Sequence, residues 1–169
     1  IYQLMSEVIL EKVPWLTEDK MVAFSGPSHA EEVSRHVLTA IVAACVNEES
    51  AKVVQQAMSC SYLRVYTSTD IVGVELCGSV KNVIAIASGV LYGLEAGGKF
   101  KIGDNTRAAI LTRGQAEMCR LGKALGAKPE TFAGLAGMGD LIVTCLSQHS
   151  RNRYVGEHIG KGETLDQVL

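Results

Sequence analysis

Lys81 is the residue of this 169-residue chain whose surroundings most strongly suggest chemistry. It is the single cationic side chain in the stretch Gly73–Gly97, which otherwise consists almost wholly of apolar and small residues. A helical period of 3.6 residues places Gly78, Ala85 and Ser88 on the neighbouring face, where we expect them to form the floor of a substrate pocket. A lysine buried among aliphatic side chains loses part of its preference for the charged form and so suits proton transfer. The competing interpretation is a lysine that extends out of the helix into solvent.

A second group of polar residues lies near the C-terminal end of the chain. Asp140 follows two nearby glycines and precedes an apolar run, so its carboxylate is predicted at a helix start. Thr144 is predicted one turn later on the same face. Ser150, Arg151 and Asn152 combine a hydroxyl, a guanidinium and an amide, a set well suited to holding a phosphate. A solvated basic turn is the alternative interpretation.

The string SGPSHAEEV, residues 25–33, joins a predicted strand to a predicted helix. Gly26 and Pro27 turn the chain, and Ser28 with Glu31 is predicted to form a capping box at the helix start. A helix N-terminus presents free N–H groups and a partial positive charge to an anion or a nucleotide. The same residues are also compatible with a helix start that binds nothing.

Composition and charge describe an ordinary globular chain, with 47% hydrophobic and 20% charged residues. A net charge of −2 provides no general attraction to nucleic acid or to an anionic membrane, so neither is expected as a partner. Lys81 interrupts the longest apolar run, and no membrane span is expected. The five cysteines are an odd number without a CxxC pair and indicate the reduced thiols of a cytoplasmic protein. The four histidines lack the spacing of metal ligands, so no metal site is expected.

Strands and helices are predicted to alternate in the first 70 residues. The predicted elements are a helix over 1–12 ended by Pro14, strands at Met21–Phe24, Thr39–Cys45 and Leu63–Thr67, and a helix at Glu48–Ser59 capped by Asn47. This order is typical of an α/β layer, although no G-x-G-x-x-G fingerprint follows any strand. The chain opens with Ile1 and ends inside a predicted helix, which we interpret as signs of an excised fragment.

From Asp70 onward only helices and loops are predicted, and a domain boundary is expected within residues 70–73. The sequence therefore predicts an α/β domain at residues 1–70 and an all-α domain at residues 71–169. Asp104 or Asn105 is predicted to cap the second long helix. The first long helix is predicted to bury one apolar stripe, formed by Val74, Cys77, Val80, Ile84, Ala87 and Leu91.

Five strings of this sequence together resemble the bacterial-type NAD(P)-dependent sn-glycerol-3-phosphate dehydrogenase family. They are SGPSHAEEV, GVELCGSVKNVIAIASG, GDNTRAAILTRGQAEM, GAKPETFAGLAGMGDL and SRNRYVG, in the family's order, from about Phe24 to Gly162. The resemblance implies the C-terminal part of a Rossmann-like NAD(P)-binding domain, followed by the first helices of an all-α substrate domain like that of 6-phosphogluconate dehydrogenase. It also implies that the family's N-terminal dinucleotide fingerprint and C-terminal end lie outside this chain.

The resemblance implies hydride transfer between sn-glycerol 3-phosphate and NAD or NADP, which gives dihydroxyacetone phosphate and serves glycerophospholipid synthesis. Lys81 corresponds to the family's proton acceptor, and His29 stands where the family often has phenylalanine. The implied substrate-binding residues are Gly26, Ser28, Lys81, Asn82, Asp140, Thr144, Ser150, Arg151 and Asn152, and the implied cofactor-binding residues are Ala30 and Arg151. The family further implies a cytoplasmic homodimer, and we expect this fragment alone to be inactive.

Two other functions stay open at this point. A related hydroxyacid or 6-phosphogluconate dehydrogenase would also carry a lysine and an asparagine on a long helix, although the Ser150–Asn152 cluster favours the glycerol phosphate enzyme. A non-catalytic helical module would instead use Val80, Ile84 and Leu91 to pack against another subunit. In that case Lys81→Ala would affect no activity.

Overall fold

The computed structural model describes residues 3–98 and 100–168, which form a helix-rich chain with one three-stranded sheet. The helices and strands are α1 Met5–Lys12, β1 Ala23–Ser25, α2 Ala30–Val33, β2 Thr39–Ala44, α3 Glu48–Met58, β3 Leu63–Ser68, α4 Ile71–Ala96, α5 Asp104–Ala124, α6 Pro129–Ala133, α7 Asp140–Leu146, α8 Arg151–Lys161 and α9 Leu165–Val168. The helix predicted over residues 1–12 begins at Met5, and Ile1 lies outside the described residues. The predicted alternation of strands and helices in the first 70 residues is confirmed.

The sheet has the order β1-β2-β3, with β1 antiparallel and β3 parallel to the central strand. Ile41, Ala43, Leu63 and Val65 are buried together on it, because alternate residues of adjacent strands share one face. The helix α3 joins the two parallel strands, as a parallel pair requires a crossover. Its predicted cap is confirmed, since the Asn47 side chain accepts a hydrogen bond of 3.0 Å from the Glu49 N–H.

The start of the long helix α4 is fixed by a buried aspartate. The carboxylate of Asp70 accepts hydrogen bonds from the N–H of Gly73 at 2.9 Å, the N–H of Lys128 at 2.9 Å and the hydroxyl of Thr131 at 2.5 Å. Only 6% of Asp70 is exposed, so these donors replace the water that the carboxylate loses. One side chain thus caps α4 and ties it to the start of α6.

The helices α4 and α8 approach each other so closely that glycines are required at the contact. A Cβ atom on Gly89 or Gly93 would overlap the backbone of Arg153 or Glu157, and a Cβ atom on Gly156 or Gly160 would overlap the backbone of α4. Each pair of glycines is four residues apart and therefore lies on one helix face. The two helices pack backbone against backbone along this face.

The predicted apolar stripe on α4 is correct in its first half only. Val74 and Cys77 are fully buried, and Val80 and Ile84 pack against the core cluster of the same chain. Further along α4, the buried face moves to Ala85, Ser88, Gly89 and Gly93 because α7 and α8 cover these small residues. The use of Val80 and Ile84 within the chain removes the basis for a module that docks another subunit through them.

Ala85 and Ser88 do not form the floor of an open pocket, and that prediction is wrong. Both residues are completely buried, and the Ser88 hydroxyl donates a hydrogen bond of 3.3 Å to the carbonyl of Cys145 on α7. Small residues permit close approach of another helix as readily as they leave space for a ligand. Gly78 is only partly buried, and it lies beside Ser25 of β1.

On length and composition alone, α4 meets the criteria for a helix that could cross a membrane, although Lys81 lies within it. It is the one such helix among residues 3–98 and 100–168. The core helix of a folded domain meets the same criteria. Because α4 is packed against the sheet and against α5, α7 and α8, the finding is weak evidence for a membrane span.

Candidate active site

The side chains of Lys81 and Asp140 form an ion pair in which Nζ of the lysine donates to Oδ2 of the aspartate. The lysine side chain is 17% exposed and the aspartate side chain 4%, so the pair lies just below the surface. Lys81 is on α4 and Asp140 is the first residue of α7, 59 positions later. The lysine is therefore neither a solvent-exposed side chain nor an isolated buried charge.

Burial raises the pKa of Asp140 above its ordinary value of 3.8. The hydrogen bond and positive charge of Lys81 act in the opposite direction, as do the Thr144 hydroxyl and the nearby charge of His29. The Thr144 hydroxyl donates to Oδ1 of Asp140 at 3.3 Å, which confirms the prediction that these residues share a helix face. Both carboxylate oxygens thus have a donor, as a buried carboxylate requires.

Asp140 is the first residue of α7, as predicted, but this helix start is not free. A π-helical turn, Leu135–Gly139, runs directly into α7, so the aspartate lies inside a continuous helical segment. Gly137 in this turn lies against the backbone of Phe132, where a Cβ atom would overlap it. Lys81 and Thr144, rather than free N–H groups, are the donors that stabilise the Asp140 carboxylate.

The residue next to Lys81 connects the ion pair to the start of α8. Asn82 accepts a hydrogen bond of 2.8 Å at Oδ1 from the side-chain amide of Asn152. Ser150 is 4% exposed and caps α8, because its hydroxyl accepts the N–H of Arg153 at 3.2 Å. The predicted phosphate-holding segment is thereby brought to the same part of α4 as the lysine.

The SGPS segment approaches this region from the sheet. Ser25 lies beside Gly78 of α4, and Pro27 lies beside Gly139, directly before Asp140. Gly26 is buried with a φ of +154°, and a Cβ atom on it would come within 3.0 Å of the Ile41 Cα. A glycine is needed here because the turn passes so close to the central strand.

The capping box predicted for Ser28 and Glu31 is wrong. The Ser28 hydroxyl donates to the carbonyl of Gly26 at 3.1 Å, and the cap of α2 is His29, whose side chain makes no capping hydrogen bond. The turn before α2 is tight enough that a serine hydroxyl reaches the carbonyl two residues back. Since α2 spans four residues, it offers no extended helix terminus to an anion.

Two predicted ligand residues are not tied to the others in the structure. Ala30 is exposed at the first position of α2, and Arg151 is exposed at the first position of α8. Within the described residues, the Arg151 guanidinium has no ion pair or side-chain hydrogen bond. It is therefore a cation with its donors available.

His29, which is near Asp140, and His149, which packs on His29, were not among the predicted site residues. The rings of His29 and His149 pack edge to face with centroids 5.9 Å apart, and the Nε2 atom of His29 is buried without a hydrogen-bond partner among the described residues. They join the SGPS segment to the α7–α8 loop. Sequence spacing could not reveal this contact, because the residues are 120 positions apart and belong to no shared motif.

Two cysteines, Cys77 and Cys145, lie close enough to Lys81 for its positive charge to affect their pKa values. Burial raises the pKa of Cys77 to about 12 and that of Cys145 to about 12, while the charge of Lys81 lowers both. Such thiols stay protonated and are poor nucleophiles. Among residues 3–98 and 100–168, no cluster of three histidine, cysteine or carboxylate side chains is arranged to hold a metal ion.

A cavity of about 360 Å³ lies between α1, β1 and α4, and Ser25 and Gly78 are among its lining residues. The other residues that line it are mainly apolar, with Glu75 as the charged member. Lys81 and Asp140 do not line this cavity. It therefore adjoins the SGPS segment without containing the ion pair.

Asp140 combines burial, a raised pKa and a specific charge partner in Lys81, and this combination marks a candidate functional site. Family models identify the class more closely. The model of the NAD-dependent glycerol-3-phosphate dehydrogenase C-terminus matches residues 70–169, and that of the N-terminus matches residues 1–51. The chain belongs to the NAD-dependent glycerol-3-phosphate dehydrogenase family.

Individual relatives agree with this assignment. Glycerol-3-phosphate dehydrogenase (NAD(P)+) of Chlorobium phaeobacteroides strain DSM 266 is 54% identical over 165 residues, which are 98% of this chain and 48% of the relative. The crystal structure of glycerol-3-phosphate dehydrogenase from Coxiella burnetii matches 98% of this chain with a TM-score of 0.89 and 41% identity, over 48% of its own length. The yeast enzyme matches with a TM-score of 0.81 and 28% identity. The chain spans about half the length of the curated relatives it matches.

Proposed function

We propose that the complete protein interconverts sn-glycerol 3-phosphate and dihydroxyacetone phosphate with NAD or NADP. The observation that carries the proposal is the ion pair of Lys81 with the buried carboxylate of Asp140, next to the Asn82–Asn152 hydrogen bond. Two relatives named glycerol-3-phosphate dehydrogenase (NAD(P)+), which are 54% and 55% identical to this chain, support it. These names also favour this reaction over that of a hydroxyacid or 6-phosphogluconate dehydrogenase.

In this reaction Lys81 removes the proton of the C2 hydroxyl group, and in the reverse direction it returns a proton to the C2 oxygen. Proton removal requires a neutral amine and the reverse step requires an ammonium, so the Nζ atom has to keep its place in both steps. Asp140 therefore acts as a positioning group that holds the Nζ atom in place while the amine exchanges its proton. Thr144 keeps the carboxylate oriented by its hydrogen bond to Oδ1.

Ser150, Arg151 and Asn152 are the residues we assign to the substrate phosphate. The free donors of Arg151 suit the oxygens of a phosphate, and the hydrogen bond between Asn152 and Asn82 fixes the cluster relative to the lysine. Gly26 and Ser28 complete the substrate site from the sheet side. Because the phosphate is remote from the reacting carbon, its binding energy serves to orient the C2 hydroxyl toward Lys81.

The residues assigned to the cofactor are Ala30 and Arg151, which are exposed at the starts of two helices and so are accessible to a dinucleotide. A bound NAD or NADP would supply the acceptor for the hydride that leaves C2. We assign residues 1–70 to the C-terminal part of a Rossmann-like NAD(P)-binding domain and residues 71–169 to the first helices of an all-α substrate domain. The chain carries no G-x-G-x-x-G string, so the 169-residue chain by itself is expected to lack measurable activity.

We further propose that the complete protein is a cytoplasmic homodimer that supplies glycerol phosphate for glycerophospholipid synthesis. Size-exclusion chromatography with light scattering tests the dimer, and cell fractionation tests the location. A monomeric mass, or recovery of the protein in the membrane fraction, would contradict these two assignments without affecting the reaction.

The decisive experiment compares Lys81→Ala with Lys123→Ala in the complete protein. Lys123 is an exposed lysine of α5 and serves as the matched control. The loss of a general acid–base group is expected to reduce kcat about 10²-fold or more, whereas the control retains full activity. Equal activity of wild type and Lys81→Ala, or no turnover of glycerol 3-phosphate by wild type, would overturn the proposal.

A further inference from the structure

Tyr92 lies on α4 three helical turns beyond Lys81, and two guanidinium groups pack on its ring. The guanidinium carbon of Arg153 is 4.1 Å from the ring centroid, and that of Arg107 is 4.4 Å from it. The two arginine side chains are only 12% and 15% exposed, and the Nε atom of each is buried without a hydrogen-bond partner among the described residues. The aromatic face therefore supplies part of the stabilisation that these cations lose with their water.

Arg153 directly follows the segment Ser150–Asn152 and connects it to both neighbouring helices. Its guanidinium donates to the Ser147 carbonyl at 3.4 Å and to the Glu157 carboxylate at 3.1 Å. Its carbonyl oxygen lies against Gly89, one turn before Tyr92 on α4. The side chain and the backbone of this one residue thus hold the end of α7 and the first turn of α8 against α4.

Arg107 brings a third helix to the same ring. It pairs with Glu95 at the end of α4 and with Asp104 at the start of α5, the latter at 3.2 Å. With Glu157, three carboxylates surround the two guanidinium groups. Lys161 also pairs with Glu157, so three cations face three carboxylates, and the balanced cluster is not suited to binding an anion of its own.

We propose that Tyr92 is a positioning residue that sets the register of α8 on α4, and with it the distance from Lys81 to the phosphate-binding residues Arg151 and Asn152. This inference rests on the proposed function. Lys81 and Asn82 belong to α4, whereas Arg151 and Asn152 belong to α8, so their separation depends on how the two helices are aligned. The Asn82–Asn152 hydrogen bond fixes this alignment near the lysine, and Tyr92 with Arg153 fixes it at the far side of Gly89.

The helix register decides which substrates fit. A displacement of α8 by one residue along its axis changes the distance from Lys81 to Arg151 and Asn152 by about 1.5 Å, which is close to the length added by one methylene group. Glycerol 3-phosphate places one methylene and one oxygen between its C2 atom and its phosphorus. A fixed register therefore favours this substrate over a longer homologue in which the phosphate is further from the reacting carbon.

The test measures kcat/KM of the complete protein for glycerol 3-phosphate and for 3,4-dihydroxybutyl phosphate, which has one additional methylene before the phosphate. In Tyr92→Leu the ratio of the two values is expected to fall about tenfold, the scale at which one methylene is discriminated. In Tyr92→Phe, which keeps the ring, the ratio is expected to stay at the wild-type value. A purely structural role would lower both kcat/KM values by the same factor and leave the ratio unchanged.

Tyr154→Leu is the matched control, because Tyr154 is an exposed tyrosine on α8 that stacks on His158. It is expected to keep the wild-type ratio. If Tyr92→Leu does not fold, Arg153→Lys provides the same test, since it keeps the charge and loses the forked contacts to Ser147 and Glu157. An unchanged ratio in the variant that folds would overturn this inference, whereas absence of wild-type turnover would overturn the proposed function itself.

Discussion

Asn82 and Asn152 are joined side chain to side chain by a hydrogen bond of 2.8 Å, although 70 positions separate them in the sequence. Asn82 follows the lysine of the ion pair on α4, and Asn152 lies in the first turn of α8. This bond directly joins the neighbour of the residue proposed for proton transfer to a residue proposed for the phosphate. Four predictions follow from this arrangement and from the packing around it.

Removal of the Asn82–Asn152 hydrogen bond should weaken both stability and substrate binding. Because the bond is partly buried, Asn82→Ala and Asn152→Ala are each expected to lower the free energy of unfolding by about 1 kcal/mol. In the double variant the free energy of unfolding should fall by less than the sum of the two single-variant decreases, since either change alone breaks the bond. Urea unfolding of all four proteins measures the coupling, and strict additivity would show that the two side chains do not interact.

Asp140→Asn should change how stability depends on pH. The folded-state pKa of Asp140 is raised, so the folded protein binds this proton more tightly than the unfolded chain does. The Asp140 contribution is therefore favourable at low pH and is lost as pH rises from about 3.8 through the folded pKa. Relative to wild type, the variant should gain stability with rising pH in this window, as measured by unfolding between about pH 3 and about pH 6, from about one unit below to about two units above the pKa of an ordinary carboxyl. A constant difference would contradict the raised pKa.

A single methyl group at the α4–α8 contact should strongly destabilise the fold. In Gly89→Ala the new Cβ overlaps the backbone of Arg153, which cannot move aside as a flexible side chain could. We expect a loss of about 3 kcal/mol, at the upper end for overpacked sites. Gly103→Ala is the control, because nothing lies within 4 Å of a Cβ at that position. Equal melting temperatures of the two variants would show that the helices are further apart than described.

The cysteines should differ widely in reactivity. Cys60 is exposed, and the backbone N–H of Tyr62 lowers the pKa of its thiol, so it forms the reactive thiolate more readily than the buried cysteines do. Cys77 and Cys145 are buried with pKa values of about 12. Iodoacetamide labelling followed by mass spectrometry should modify Cys60 in the native protein and the other two only after unfolding. Early modification of Cys145 would indicate that α7 opens from α4.

The sequence predicted the local features of this protein well. The strands at Thr39–Ala44 and Leu63–Ser68, the cap at Asn47 and the shared face of Asp140 and Thr144 follow from short-range rules. These rules depend on residues within one strand or one helical turn, and such information is complete in the sequence. The role proposed for Lys81 rests on its apolar setting together with the resemblance to the dehydrogenase family.

Predictions that depend on contacts between elements were less accurate. Ala85 and Ser88 are small because α7 covers them, and no periodicity distinguishes this from the floor of a pocket. On α5, Leu121 is 45% exposed, while Gly122 is buried against Phe132. A hydrophobic pattern predicts that leucine is buried in preference to glycine. Here the glycine is buried instead, because only a residue without a side chain lets the aromatic ring approach the helix so closely. The packing of Arg107 and Arg153 on Tyr92 was missed because no short-range pattern indicates a contact among three separate helices.

The glycine contacts between α4 and α8 also limit how this protein can evolve. At each glycine of the shared face, the Cβ atom of any other amino acid would overlap a neighbouring backbone. Substitutions at these positions are therefore expected to be destabilising rather than neutral. Because the glycines recur every four residues, the helices fit together again only after a slide of about 6 Å. Substitutions at the glycines themselves therefore cannot lengthen the proposed substrate site in small steps, and a change in substrate length must come from side chains outside the shared face, such as Tyr92.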